Sequence, residues 1–139
     1  MPRVFVFGTL KEGFPNFSVN NGVRYRSEFF TKKSFPLYLV GERYSPWLVL
    51  NEGSGFPVKG QVFDVSNSQL SLMDKLERVN EVDGYRRVVI DVVCTDSGDT
   101  YSVYMYGKPL EQLKGAQIKA ELEGEYTLKH ARQYRARYS

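Results

Sequence analysis

The chain has 139 residues, 42% of them hydrophobic and 25% charged, with a formal net charge of +3. These values suit a globular chain able to bury a sizeable core, and the small, well-mixed charge argues against nucleic acid as a partner. One cysteine and one histidine exclude an internal disulfide framework and argue against a zinc site. No apolar run is long enough to span a bilayer and no signal peptide is visible, so the expectation is a cytoplasmic, cofactor-free protein without a membrane partner.

Val4 to Phe7 is an unbroken apolar run of β-branched and aromatic residues, the pattern of a strand buried on both faces. It stops at Gly8-Thr9-Leu10. Two readings are open there: an ordinary tight turn, or a turn whose unpaired N–H groups form a concave nest for an anion. Pro15 can open a short helix over residues 15–21, closed near Gly22. Strands are expected over Tyr25–Thr31, Phe35–Val40, Trp47–Leu50 and Val58–Val65, with a turn at Lys32-Lys33-Ser34 and a loop at 51–55. Gly60 within the last of these strands signals a bulge or a close backbone approach.

Ser66-Asn67-Ser68-Gln69 fits a capping box and opens the one convincing helix. At about 100° per residue, Leu70, Leu72, Met73 and Leu76 form an apolar face, and Glu77 falls on that face between Leu70 and Met73. A carboxylate directed at a core is costly and its pKa rises unless it is paired. Either Glu77 escapes to solvent or pairs with Arg78, Arg86 or Arg87, or it is a candidate general acid/base. Strands then follow at Val88–Cys94 and Thr100–Tyr106 around a turn at Asp96–Asp99. Cys94 reads as a core filler. From Leu110 onward the chain is polar with a basic end, and a solvated tail or peripheral helix is expected. About seven strands in so short a chain, taken as a single domain over 1–139, suggest a closed or half-closed sheet with helices at its rim, an α+β fold.

Two separated segments resemble one family. Phe5-Val6-Phe7-Gly8-Thr9-Leu10-Lys11 resembles the Tyr-Gly-Thr-Leu signature that opens the γ-glutamylcyclotransferase-like proteins, and Asp74-Lys75-Leu76-Glu77 followed by Tyr85-Arg86-Arg87 resembles that family's Asp-x-x-Glu and Tyr-x-Arg pair. Pro46-Trp47-Leu48 and the run from Gly53 to Val65 are also similar, most of all to the γ-glutamylamine cyclotransferase branch. The resemblance runs from about Val4 to Gly107. It implies a small mixed β-barrel with flanking helices and a pocket at one end. It further implies Glu77 as catalytic acid/base, a Phe7-Gly8-Thr9-Leu10 loop that binds the glutamyl part of a small-molecule substrate, and no cofactor or metal. The implied reaction converts γ-glutamyl amines, such as ε-(γ-glutamyl)-lysine, to 5-oxoproline and a free amine; γ-glutamyl amino acids or glutathione as substrates, or a non-catalytic binding module, are the alternatives. Asp74, Tyr85, Arg87 and Tyr106 are expected to line or support the pocket. Phe7 stands where the family usually has Tyr.

Overall fold

In the computed structural model, which describes residues 1–137, eight strands form two sheets. Tyr138 and Ser139, part of the expected single domain and polar C-terminal segment, lie outside the described residues. Strands β1 (Arg3–Val6), β2 (Val23–Phe35), β5 (Phe56–Asp64), β6 (Arg86–Cys94) and β7 (Thr100–Gly107) close a barrel in the order β1-β5-β2-β6-β7. Every pairing is antiparallel except the closing one, β1 with β7, which is parallel. A second sheet is built from β3 (Leu37–Val40), β4 (Ser45–Leu48) and β8 (Ile118–Leu122), with β3 in the middle. Closure removes the free edges that a small sheet would otherwise expose.

The apolar run at the start of the chain explains its central place. Side chains alternate across a strand, so Phe5 enters the barrel interior with Phe29, Val62 and Met105, while Val4 and Val6 pack outward. There they meet Leu70 and Met73 of α2 (Asn67–Leu76) and Phe17 of α1 (Phe17–Asn20). β1 is thus buried on both faces, as its pattern predicts. The capping box that starts α2 is present, with the Gln69 N–H donating to Ser66 and the Ser66 N–H to Gln69. Leu72 departs from expectation: it lies at the margin of the helical stripe and is 53% exposed. α1 is shorter than the expected 15–21, and Asn21, in the left-handed region (φ 43°), closes it in place of Gly22.

Two further differences have physical causes. The expected turn at Lys32–Ser34 is instead part of the 13-residue β2. That strand must bend to close a narrow barrel, and its register shifts between Tyr25 and Phe29 and again between Phe30 and Ser34. At the second shift the Thr31 hydroxyl substitutes for a ladder group, accepting from the Val58 N–H and donating to the Lys33 carbonyl. The polar residues there face outward on a bulged strand. The C-terminal segment is not a solvated tail. Its β8 pairs with β3, Tyr126 is fully buried, and among the described residues the segment also forms a short 3-10 turn (Leu110–Leu113) and one short helix, α3 (Leu128–Ala131), at the basic end where a peripheral helix is expected. Ile118, Ala120 and Leu122 alternate with polar residues, the strand signal that the surrounding charge obscures. No helix among the described residues is long and apolar enough to cross a membrane.

Gly60 sits where β5 crosses β1. A Cβ there would lie 2.4 Å from the Val6 carbonyl oxygen and 2.6 Å from the Phe5 ring. Neither the buried backbone nor the barrel-filling ring can yield cheaply. Gly60→Ala is therefore expected to destabilise the protein by about 1–3 kcal/mol in urea unfolding; a midpoint equal to that of the parent would show that β1 and β5 are not so closely apposed.

Candidate active site

The turn after β1 is fixed by two asparagines from the segment downstream of it. The Asn16 N–H donates to the Thr9 carbonyl at 2.8 Å, and the Asn16 side chain donates to the Thr9 hydroxyl at 2.8 Å. Buried Asn20 donates to the Leu10 carbonyl, and the Lys11 N–H closes the turn onto the Gly8 carbonyl. The α1 segment therefore occupies the acceptors of this loop. The N–H groups of Gly8, Thr9 and Leu10 make no hydrogen bond among the described residues, although Thr9 and Leu10 are buried. Buried donors without partners are uncommon and match the anion-nest reading better than the ordinary turn. Gly8 is also required sterically, since a Cβ there would lie 2.9 Å from the Pro46 ring.

Glu77 comes from a separate element, the end of α2. It caps the C-terminus of α2, its N–H donating to the Met73 carbonyl and its own carbonyl accepting from the Tyr85 N–H at 2.9 Å. Arg78 then adopts a left-handed conformation (φ 53°) that ends the helix and turns the chain. Gly84 packs against this turn so closely that a Cβ would collide with the Arg78 carbonyl oxygen. The three arginines that could have neutralised Glu77 are committed elsewhere. Arg78 pairs with Asp83 at 2.8 Å, Arg87 pairs with Asp74 at 2.6 Å, and Arg86 donates to the carbonyls of Glu81, Gly84 and Tyr85. Among the described residues no hydrogen bond or ion pair reaches the Glu77 carboxylate. Its enclosure pushes its pKa up to about 7, against the opposing pull of Lys108 and Arg43.

These two features line one cavity of about 660 Å³, of the size used for small-molecule ligands. Its wall includes Phe7, Gly8, Thr9, Leu10, Glu77, Tyr85 and Tyr106. Of the residues expected around the pocket, Asp74 and Arg87 do not line it. They stand behind Tyr106, whose hydroxyl donates to Asp74 at 2.5 Å, while Arg87 holds the other carboxylate oxygen. This chain of contacts ties α2 to β6 and β7. Tyr85 is anchored by donating its hydroxyl to the Pro46 carbonyl at 2.7 Å. Phe7 lines the cavity and also belongs to the barrel core, 6% exposed.

Several wall residues carry no signal in the sequence pattern. Lys108, just after β7, is buried and lies over the rings of Trp47 and Tyr85 at 4.4 and 4.6 Å. Its ammonium donates to the Asp83 carbonyl and to Gln112, and burial lowers its pKa to about 8. Arg43, from the β3–β4 turn, is half-buried in the wall. The C-terminal segment contributes Tyr134, Ala136 and Arg137; Asn16 donates to the Tyr134 hydroxyl at 3.2 Å, and the Arg135 N–H donates to the Arg43 carbonyl.

The backbone donors of a turn and an enclosed carboxyl, neither with a partner among the described residues, thus meet in one cavity from separate elements. The chain matches the family described as gamma-glutamyl cyclotransferase, AIG2-like, over residues 4–128. It is 32% identical over 117 residues to gamma-glutamylaminecyclotransferase of Mus musculus, covering 76% of this chain and 77% of that protein. It is 36% identical over 97 residues to the protein of that name from Homo sapiens, covering 66% and 62%. The crystal structure of an AIG2-like protein from Mus musculus superposes with a TM-score of 0.78 at 27% identity, covering 98% of this chain and 95% of the other. The match extends beyond the motifs near either end of the barrel and takes in β8. The chain belongs to the AIG2-like gamma-glutamyl cyclotransferase family.

Proposed function

We propose that this protein is a γ-glutamylamine cyclotransferase that releases 5-oxoproline and a free amine from γ-glutamyl amines such as ε-(γ-glutamyl)-lysine, with Glu77 as the general acid/base. The observation that carries the reading is the shared cavity: the unpaired Glu77 carboxyl and the free N–H groups of Gly8, Thr9 and Leu10 line the same space. The relatives' names support the reaction class.

The chemistry asks little beyond these groups. The substrate's α-carboxylate docks on the N–H groups of the turn, which suit an anion. Glu77 takes a proton from the α-ammonium. The freed nitrogen attacks the γ-carbonyl carbon of the same molecule, forming the five-membered lactam, and the amide C–N bond breaks. Glu77 returns its proton to the departing nitrogen, and the second proton that the ring nitrogen sheds on becoming the lactam N–H reaches the amine through the same carboxyl, so the amine leaves as an ammonium ion and the protein ends as it began. A pKa of about 7 lets one carboxyl perform both transfers near neutral pH. Nucleophile and electrophile belong to one molecule, so the cavity mainly holds a folded, near-attack shape. The oxyanion of the tetrahedral intermediate also needs donors, and the same turn supplies candidates. The hydroxyl absent at Phe7 is not needed by any of these steps, because the turn acts through its backbone. Tyr106, fixed by Asp74 and Arg87, acts as a rigid wall.

Glu77→Gln keeps the shape and removes the base. It is expected to lower 5-oxoproline release from ε-(γ-glutamyl)-lysine by about 10²-fold or more while leaving the circular dichroism spectrum unchanged; undiminished turnover would remove Glu77 from the mechanism. The same substitution tests the enclosure. With a folded pKa of about 7 against an ordinary value of 4.5, the native state binds the extra proton between these values. Stability is therefore fully present below about pH 4.5 and is lost as pH rises toward 7. Glu77→Gln is expected to be more stable than the parent at pH 8 by about 1–3 kcal/mol, with the difference vanishing near pH 4.5. A gap independent of pH would mean that Glu77 is not shielded from water.

A further inference from the structure

The cavity is more cationic than the reaction requires. Five of its described wall residues carry a positive charge and two a negative one. Most of the cations are already engaged or are exposed to solvent. Arg78 is paired with Asp83. Lys108 donates to the Asp83 carbonyl and Gln112. Lys75 and Arg137 are exposed. Arg43 differs: it is half-buried, it lines the cavity, and among the described residues its guanidinium has no hydrogen-bond or ion-pair partner.

Its place is built rather than incidental. The β3–β4 turn is closed by the Tyr44 N–H donating to the Gly41 carbonyl, with Tyr44 itself in a left-handed conformation (φ 51°). The Arg43 carbonyl is held by the Arg135 N–H from the C-terminal segment. Two distant parts of the chain therefore fix the backbone that carries this guanidinium. A partly desolvated guanidinium with no carboxylate partner among the described residues is costly and well suited to a bidentate anion. It is also close enough to Glu77 to oppose the rise in that group's pKa.

We propose that Arg43 forms a second anion subsite in this cavity, which receives a carboxylate carried by the leaving amine. The inference rests on the cyclotransferase reading. The glutamyl α-carboxylate is already served by the turn at Gly8, Thr9 and Leu10, an element distinct from the β3–β4 turn. The volume of about 660 Å³ leaves room for the leaving group inside the walls. Substrates whose leaving amine is an amino acid, joined through its side chain or its α-nitrogen, then gain a charge-assisted contact. Leaving amines that are neutral or purely cationic meet only an unanswered positive charge, which disfavours them.

Two substrates isolate this one group: ε-(γ-glutamyl)-lysine and γ-glutamylcadaverine, which has the same chain without the carboxylate. The parent protein is expected to prefer the lysine compound by about 10- to 100-fold in kcat/KM, the range of one charge-assisted contact. In Arg43→Gln the ratio of the two kcat/KM values collapses toward one, and Arg43→Lys, which keeps the charge but not the fork, retains part of it. Equal kcat/KM for the two substrates in the parent protein overturns the subsite while leaving the cyclotransferase reading intact. So does an equal loss on both substrates in Arg43→Gln, which would place Arg43 on the glutamyl end instead. If the parent releases 5-oxoproline from neither compound, the cyclotransferase reading itself fails and takes the subsite with it.

Discussion

The site depends on a carboxyl group held largely out of water, with no cation bound to it among the described residues. Glu77 could not remain so if its position were soft, because a mobile glutamate would swing to solvent or to a neighbouring arginine. The backbone prevents this. Its N–H is tied to the last turn of α2 and its carbonyl to Tyr85. The left-handed Arg78 and the close packing of Gly84 leave the turn little freedom. The arginines nearby in sequence each have another acceptor. The fold thus accepts a destabilising group whose pKa is raised toward neutrality.

The turn after β1 follows the complementary logic. There the unsatisfied groups are donors, and they arise because α1 claims the acceptors of the turn. Asn16 and Asn20 hold the Thr9 and Leu10 carbonyls, which orients the peptide units and leaves their N–H groups available. Asn16 also reaches Tyr134, so the C-terminal segment is coupled to this turn through one side chain. The barrel joins the two walls: β1 delivers the turn, and α2, packed on Val4 and Val6 of that strand, delivers Glu77. One strand and the helix that covers it thus bring the free donors and the carboxyl to one cavity.

Much of this was legible in the sequence because it is carried by periodicity. The run Val4 to Phe7 announced a strand buried on both faces, the Ser66 capping box fixed the start of α2, and helical phase alone put Glu77 on the apolar side. The misreadings share a cause. Lys32-Lys33-Ser34 has turn composition but lies on a bulged strand whose bend is imposed by barrel closure, a constraint that no local window contains. The segment after Leu110 looks solvated because its charges outnumber its apolar residues, yet Tyr126 is buried and β8 completes a sheet. Arg43 and Lys108 were invisible for a different reason. They sit at strand ends and turns, where no periodic pattern marks a side chain as inward, and only tertiary packing brings them to the cavity. The resemblance located the motifs but placed Asp74 and Arg87 in the same group as Tyr106. The structure separates them by role, with Tyr106 at the wall and the other two behind it.

The central claim is that an enclosed Glu77 and the free donors of the first turn act on one ligand. Carbon-detected NMR of the carboxyl groups, recorded across pH with and without 5-oxoproline, tests it directly. The expected result is a Glu77 carboxyl titrating near pH 7, whose midpoint moves when 5-oxoproline is added, together with shifts of the Gly8, Thr9 and Leu10 amide protons on the same binding curve. A Glu77 midpoint in the ordinary range of about 4–5, with ligand-induced shifts that bypass that turn, would contradict it.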